Sequence, residues 1–183
     1  MGESFVRLAP EVQQFHRLAG KQTMHGRVEI HAPKSALGKV LALFLGTPLA
    51  ATQGPIKFEL DAHPSEETWT RHFPSKTMTS RLQLIDGKLV EKLGAARLVF
   101  KLTEIDGRLN MHLHRLHFFG VPCPKWLIPC VVAEETGGGG RLHFRVRADV
   151  PWVGLVASYQ GYLSLSNRTT ARSSYSMRSA CKG

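Results

Sequence analysis

GRLNMHLHRLHFFGVPCPKWLIP, residues 107–129, begins inside the Asp106-Gly107 turn and contains a long strand pattern. An Asp-Gly pair between two runs of apolar and β-branched residues is typical of a tight hairpin turn. Arg108–Phe119 is therefore predicted to be a strand, with side chains that alternate between two faces. Neither face is apolar over its full length, so one end is expected in a core and the other beside solvent or a polar cavity. We expect the remaining strands to curl around this one.

Prolines end this strand. Pro122 and Pro124 lack the amide proton that a central strand must donate, and they fix the backbone. Trp126 and the two aliphatic residues after it form a short apolar run directly beyond them. We therefore predict that Pro122, Pro124 and Trp126 belong to a lid over one end of a barrel or curved sheet.

The rest of the chain is predicted to be a nearly unbroken meander of short strands. The predicted strands are Thr23–His31, Ile56–Leu60, Glu67–Phe73, Thr77–Ile85, Lys88–Lys92, Arg97–Ile105, Arg108–Phe119, Cys130–Glu134, Arg141–Val150 and Trp152–Leu165. Short strands joined by tight turns favour an antiparallel sheet, and long sheets curl or close to protect their edges. The prediction is a mainly β (α+β) fold, with two N-terminal helices and about 8–10 strands. Two architectures fit, namely a closed calycin-like barrel and a strongly curved START-like sheet that grips a helix.

Two helices are predicted before the meander. Pro10–Leu18 has a proline in its first turn and Gly20 as a stop. Ser35–Leu45 has Ser35 as a plausible N-cap and ends before Gly46. The side chains predicted to form the buried stripe of the second helix are Leu37, Val40, Leu41, Phe44 and Leu45.

The composition narrows the functional classes. The chain has 183 residues and a net charge of +10, but much of the excess lies in an acid-free tail that begins at residue 166. We expect residues 1–165 to be a single domain and residues 166–183 to be a disordered basic tail. The remaining basic residues are scattered over strands without a nucleic-acid-binding motif, so no nucleic acid partner is predicted. No apolar run is long enough to span a bilayer, so no membrane insertion is expected.

The number and spacing of the cysteines indicate the redox environment of the protein. Cys123, Cys130 and Cys181 are odd in number and do not form a metal-type CxxC motif. A disulfide framework is not expected, and a reducing cytoplasmic location is favoured.

Two motifs resemble those of a known family, namely Trp69-Thr-Arg-His-Phe73 and Phe119-Gly-Val-Pro-Cys-Pro124. The further matching pieces are Pro10–His16, Ser80, Glu134, Pro151–Gly154 and Tyr159–Gly161. Over about residues 5–165 the sequence is similar to the bacterial domain of unknown function family 4166. The resemblance implies a domain found alone or after an NAD(P)-binding, saccharopine-dehydrogenase-like domain. It carries no established activity, so it transfers no catalytic residue and no cofactor, and Cys123 departs from the aliphatic residue expected there.

The candidate site centres on Arg71. Trp69, Arg71 and Phe73 alternate along one strand, so they share a face, and an arginine between aromatic side chains can hold a carboxylate or phosphate. In the structural alternative, Arg71 pairs with Glu134 or Glu91 inside the barrel. The complete predicted ligand-binding set is Trp69, Arg71, Phe73, Ser80, His112, His114, Glu134 and Tyr159.

Two histidines are candidate metal ligands. His112 and His114 project from one strand face, a spacing that metal sites use, with His143, His72 or Glu134 as a third ligand. The sequence offers no complete ligand set, so we predict no metal, and exposed or cavity-lining histidines are favoured. Ser80 has no nucleophile-elbow motif around it, and we predict no catalytic residue.

Three functions remain open. The leading hypothesis is a binding protein for a hydrophobic or amphipathic small molecule, with Arg71 as the polar anchor. The second is an accessory domain for a separate NAD(P)-dependent oxidoreductase. The third is a small enzyme on a helix-grip scaffold that uses Arg71, Glu134 and a histidine for acid–base chemistry.

Overall fold

The computed structural model describes residues 2–165, so the predicted tail over 166–183 lies outside the described residues. The helices are α1 (Gly2–Phe5), α2 (Pro10–Phe15) and α3 (Ala36–Leu45), with a short 3₁₀ turn at Lys125–Leu127. The strands are β1 (Gly20–Ile30), β2 (Thr52–Ala62), β3 (Glu67–His72), β4 (Thr77–Ile85), β5 (Lys88–Leu93), β6 (Ala96–Ile105), β7 (Arg108–Phe118), β8 (Val121–Pro122), β9 (Cys130–Gly138), β10 (Arg141–Val150) and β11 (Gly154–Ser164).

The sheet closes into an antiparallel barrel. Its strand order is β6-β5-β4-β3-β2-β1-β11-β10-β9-β7-β8, and β6 also pairs with β7. Every strand except β8 therefore has a neighbour on both sides, and β8 pairs only with the end of β7 outside the ring. The mainly β fold is confirmed, and of the two predicted architectures the closed barrel is the one observed.

The two Asp-Gly turns form as the sequence indicates. Asp86 and Gly87 have φ values of 50° and 71°, and Asp106 and Gly107 have φ values of 52° and 78°. Two positive φ values in a two-residue loop define the mirror-image turns that match the twist of a hairpin. These turns fix the register of β4 with β5 and of β6 with β7.

The N-terminal helices cover one end of the barrel, which we call the α2 end. Ala9 N donates to Gly107 O at 2.8 Å, and Gly140 N donates to Glu11 Oε1 at 3.1 Å. Phe15 is buried at the end of α2, and its ring packs edge-on against Phe58 and Trp69. The helix thus carries an aromatic plug into the barrel interior.

Helix α3 crosses the opposite end, which we call the α3 end. Ser35 caps the helix by accepting from Gly38 N at 3.0 Å, and its Oγ donates to Val153 O in the β10–β11 turn at 2.8 Å. At the far end of the helix, Ala95 N in the β5–β6 turn donates to Phe44 O at 3.1 Å. These turns lie on nearly opposite sides of the ring, so α3 spans the barrel mouth.

The predicted buried stripe of α3 is wrong at Leu37, Val40 and Phe44, whereas Leu41 and Leu45 are half-buried. Gly38 and Ala42 are the buried residues of the helix, whereas its large apolar side chains at Leu37, Val40 and Phe44 are exposed. The cause is close approach, because a Cβ on Gly38 would lie only 2.8 Å from Leu155 O of β11. Small residues let the helix backbone pack closely on the barrel, and the side chains of Leu37, Val40 and Phe44 are left facing solvent.

Most predicted boundaries are right to within a few residues, and β4 and β10 match their predicted ranges. Strand β2 is longer than predicted because it continues through Pro55, which lies opposite Arg27 of β1. Helix α2 ends at Phe15, earlier than predicted, and α1 was not predicted. Among residues 2–165, no helix is both long and apolar enough to cross a membrane.

Candidate functional site

The barrel interior contains a cavity of about 120 Å³ between the two covered ends. Its wall is mainly apolar, and the larger contributors include Ile56, Phe58, Leu82, Phe100, Met111 and Leu142. The charged residues that line the cavity are Arg71, Glu91, Glu134 and Glu135. An apolar chamber with a few polar groups is the usual form of a small-molecule site.

Arg71 is the central polar group of this cavity. Its position on β3 points the side chain inward, where only 9% of the residue is exposed. Nη1 donates to Ser80 Oγ on β4 at 3.0 Å. The guanidinium carbon lies 5.1 Å from the Trp69 ring centroid and 5.8 Å from that of Phe58, within reach of cation–π attraction.

Arg71 forms no ion pair within the described residues. No carboxylate oxygen in the described part of the chain lies within 4 Å of its guanidinium. The predicted alternative, an ion pair with Glu134 or Glu91, is therefore not formed. A buried charge without a counter-ion is expensive, and a neutral hydroxyl and aromatic faces compensate it only partly. Such a guanidinium is prepared to accept an anion.

Tyr159 faces the same chamber from β11. Burial raises the pKa of its hydroxyl; Arg71 opposes that shift, and Glu91 and Glu135 add to it. The hydroxyl therefore stays protonated at neutral pH and can donate a hydrogen bond. The ring of Phe73 packs against Tyr159 with centroids 5.3 Å apart.

Five predicted site residues are thus brought together at one side of the barrel interior. They are Trp69, Arg71, Phe73, Ser80 and Tyr159. All five are buried, and they come from three different strands, β3, β4 and β11, together with the turn after β3. This clustering follows from the shared phase of alternating positions on neighbouring strands.

Glu134, predicted as a ligand-binding residue, lines the cavity but is not the buried carboxylate of β9. Strand β9 buries Ala133 and Glu135, whereas Glu134 between them is half-buried and in register with Arg145. Because strand side chains alternate with a period of two, an error of one residue moves a side chain from the interior to the surface. The buried carboxylate of β9 is therefore Glu135.

His112 and His114 also lie outside the barrel. Leu109 and Met111 are the inward residues of this part of β7, which places the two histidines on the exposed face. His112 Nε2 is 2.8 Å from Thr103 Oγ1 on the same outer surface. Their predicted role in the cavity is not supported by this placement. Within residues 2–165 no cluster of three His, Cys, Asp or Glu side chains could hold a metal ion.

An ion pair that the sequence analysis missed lies beneath α2. His16 Nε2 and Glu135 Oε2 are 2.7 Å apart, and the Glu135 side chain is only 7% exposed. Burial lowers the pKa of His16, but the charge of Glu135, its hydrogen bond and the charge of Glu67 together raise that pKa above the ordinary value. The pair ties the helical plug to the barrel wall. The spacing of His16 after Phe15 gave only a weak indication of this contact.

The predicted lid residues lie at the α3 end, next to the helix that crosses the mouth. Pro122 and Pro124 are exposed, and 69% of Trp126 is exposed. Phe44 of α3 packs against Phe119, with ring centroids 5.3 Å apart. The element over the mouth is therefore α3, and the proline-rich segment lies beside it with its tryptophan turned to solvent.

The barrel wall is weakest between β7 and β9. Their ladder consists of Leu109 with Glu135 and Asn110 with Glu134, close to the α2 end. Beyond these two pairs the described strands share no further ladder, although Met111 on one side and Val131 on the other both line the cavity. The cavity therefore lies beside a break in the backbone hydrogen bonding of the wall.

The chain is similar to one protein family and to solved structures. Comparison with curated proteins gives no match. Among solved structures, the chain is similar to the crystal structure of Rv2717c from M. tuberculosis, with 14% identity over 87% of this chain and 99% of that one, and a TM-score of 0.49. The profile of the family described as "Domain of unknown function (DUF4166)" matches residues 8–163. The chain therefore belongs to the DUF4166 family.

Proposed function

We propose that the barrel binds a small amphipathic carboxylate, with its acidic group on Arg71 and its apolar part in the cavity. The observation that carries this proposal is the buried guanidinium without a carboxylate partner among the described residues. Arginine presents a planar fork that matches a carboxylate, and charge-assisted hydrogen bonds are the strongest kind. An incoming anion would form the direct ion pair that Arg71 lacks among the described residues.

The cavity limits the size of the ligand. Its volume of about 120 Å³ is near that of engineered cavities of ~150 Å³ that bind benzene. It is well below the ~300–1,000 Å³ typical of sites for drug-sized molecules. We therefore propose a single-ring or short-chain acid as the ligand that fits this conformation.

The side chains around Arg71 orient the guanidinium and complete the proposed carboxylate site. Ser80 accepts one guanidinium hydrogen bond and so fixes the direction of the fork. Tyr159 keeps its proton and can donate to the second carboxylate oxygen. Trp69 and Phe58 cover the faces of the guanidinium and exclude water from it.

The two other functions are less well supported. The accessory-domain hypothesis stays a prediction. The acid–base hypothesis also stays a prediction: Arg71 and Glu134 both line the cavity, and they form no ion pair among the described residues.

The proposal can be tested by ligand identification followed by calorimetry. Native mass spectrometry before and after denaturation would identify a co-purifying acid. Titration with benzoate, hexanoate and their uncharged amides would then separate the contribution of the acidic group from that of the apolar part. The comparison is between Arg71→Met and Arg81→Met, because Arg81 is an exposed arginine on the adjacent strand.

We expect the unmodified protein to bind the acids and not the amides. Arg71→Met should weaken binding of the acids by about 10- to 100-fold, the equivalent of ~1.5–3 kcal/mol for a charge-assisted hydrogen bond. Arg81→Met should leave binding unchanged. Equal binding of acids and amides, or equal losses in both variants, would contradict the role given to Arg71.

A further inference from the structure

The α3 end of the barrel exposes an unusual amount of apolar surface. Helix α3 turns Leu37, Val40, Leu43 and Phe44 towards solvent, and Leu43 is 59% exposed. The neighbouring loops add Phe119, Val121, Trp126 and Trp152. We call these eight side chains the α3-end patch. Scattered surface apolar residues are ordinary, but a contiguous group of this kind marks an interaction site.

Two aromatic residues of the patch are held outward by a costly backbone. Phe119 has φ 50° and Trp152 has φ 66°, and Trp152 is 95% exposed. Bulky residues rarely adopt positive φ, and doing so costs of order 1–3 kcal/mol per residue by the general cost of sparsely populated conformations. Nothing within the described residues recovers this cost through burial of the Trp152 ring. The protruding ring therefore suggests a partner outside the chain.

The charged residues at the α3 end indicate the charge of that partner. The helix and loops of the α3 end are residues 31–51, 73–76, 94–95, 119–129 and 151–153. They contain Lys34, Lys39, Lys76 and Lys125, and no aspartate or glutamate. The turns and helical segment of the α2 end, by contrast, carry Glu11, Glu66, Asp86 and Asp106 alongside Arg7 and Arg17. The α3 end therefore combines an excess of positive charge with the eight exposed apolar side chains of the patch.

A row of like charges borders the patch on the barrel wall. Arg81 lies directly opposite Lys92, and Lys92 lies directly opposite Arg97, all three exposed on neighbouring strands. Like charges in directly opposed positions destabilise a sheet. An anionic surface next to them would relieve this repulsion, which makes it the complementary partner.

We propose that the α3-end patch docks on the surface of an anionic phospholipid bilayer. Tryptophan, phenylalanine and leucine side chains enter the interfacial region, and lysine and arginine side chains attract acidic headgroups. Docking of this kind is peripheral and needs no membrane-spanning segment. Nucleic acid fits less well because its backbone offers the apolar side chains nothing to enter.

The basic tail is a poorer occupant of the patch. Leu165, the last residue that the structure describes, donates from its N to Gly140 O at the α2 end, on the far side of the barrel from the patch. The sequence of residues 166–183 contains arginine and lysine but no acidic residue, so it does not complement the lysines around the patch. Docking depends on this surface alone, and it can fail or succeed independently of ligand binding in the cavity.

The test is vesicle co-sedimentation of the full chain. Vesicles of phosphatidylcholine with phosphatidylglycerol are compared with vesicles of phosphatidylcholine alone, at low and high salt. Leu43→Glu removes an exposed apolar contact, and Ile105→Glu is its control because Ile105 is 53% exposed at the α2 end. Lys39→Glu and Lys88→Glu form the corresponding charge pair, since Lys88 follows the Asp86-Gly87 turn.

We expect binding to the acidic vesicles that falls with salt. Leu43→Glu should weaken it by about tenfold or more and Lys39→Glu by about fivefold, the equivalent of ~1 kcal/mol per basic residue near the surface. The two control variants should bind like the unmodified chain. No binding, or equal loss in test and control variants, would overturn the proposal. Loss of concentration-dependent dimers in Leu43→Glu, without any vesicle binding, would instead assign the patch to a second copy of the chain.

Discussion

Arg71 of β3 and Ser80 of β4 form a hydrogen bond of 3.0 Å inside the barrel, from a guanidinium nitrogen to a hydroxyl oxygen. The arginine carries a full charge and the serine none. The bond therefore orients the guanidinium without neutralising it. An oriented, charged guanidinium favours anion binding, but its burial costs folding free energy. Ligand affinity and the free energy of unfolding can be measured separately.

Arg71→Met should not destabilise the protein in the absence of ligand. Burial of a charge costs desolvation energy, and replacing even a whole buried ion pair by apolar side chains is often neutral or stabilising by ~1–4 kcal/mol. The free energy of unfolding can be measured by urea denaturation. A loss of several kcal/mol in this variant would mean that Arg71 is needed to hold the barrel together.

Ser80→Ala should have the opposite effect on stability. Ser80 is 1% exposed, and its removal leaves one guanidinium N–H without a partner in a buried place. The expected loss is about 1–3 kcal/mol, the cost of an unsatisfied buried group. Thr79→Ala is the control, because Thr79 precedes it on the exposed face of the same strand. Equal losses of unfolding free energy in the two variants would show that the hydrogen bond to Arg71 adds no stability of its own.

Glu91→Gln should improve binding of a simple carboxylate. Glu91 lines the cavity, and its negative charge repels an anion bound at Arg71. At an effective dielectric constant of ~20, relieving this repulsion should tighten binding by about three- to tenfold at low salt. Calorimetry with benzoate or hexanoate checks the change. Weaker binding would show that the ligand places a positive group or a hydrogen-bond donor at Glu91.

The His16–Glu135 pair should make stability fall at alkaline pH. The pKa of His16 is raised in the folded protein, so its contribution is fully present below the ordinary histidine pKa of ~6.5 and is lost as pH rises through the folded value. Urea denaturation at a series of pH values should show this decline. His16→Gln should flatten it, and the exposed His63→Gln should not. Identical pH profiles for all three proteins would contradict the ion pair.

Gly161→Ala should weaken the junction between the first and last strands. A Cβ at this position would meet Arg27 O of β1, closer than side chains ever approach a backbone oxygen. The strands must separate, at an expected cost of about 1–3 kcal/mol or more for overpacking. Gly138→Ala is the control because its Cβ would meet nothing within 4 Å. Melting temperatures should fall only in the first variant.

Local patterns predicted the barrel well. The alternation of apolar residues and the two Asp-Gly turns specify neighbouring antiparallel strands, since both depend on residues close in sequence. Closure depends on the pairings of β1 with β11 and of β7 with β9, which join distant parts of the chain. No local pattern encodes those partners, so the choice between a curved sheet and a closed barrel stayed open.

The site was predicted where the strand phase was clear and missed where it was not. Trp69 and Arg71 alternate on a regular strand and share the interior as expected. Glu134 and Glu135 are adjacent carboxylates, and composition alone cannot show which one faces inward. The face of α3 that contacts the barrel could not be predicted either. Large apolar side chains usually indicate the buried face of a helix, whereas this helix packs on the barrel through Gly38 and Ala42.

The pairing of β1 with β11 has a consequence for synthesis of the protein. β1 is the first strand to leave the ribosome and β11 the last, and the ring is completed only when they meet. Until then, the nascent chain holds an open sheet with an unpaired edge and an uncovered apolar face. Nascent chains in this state are exposed to aggregation and are the usual clients of chaperones. We expect the barrel to fold late, after translation has passed Ser164.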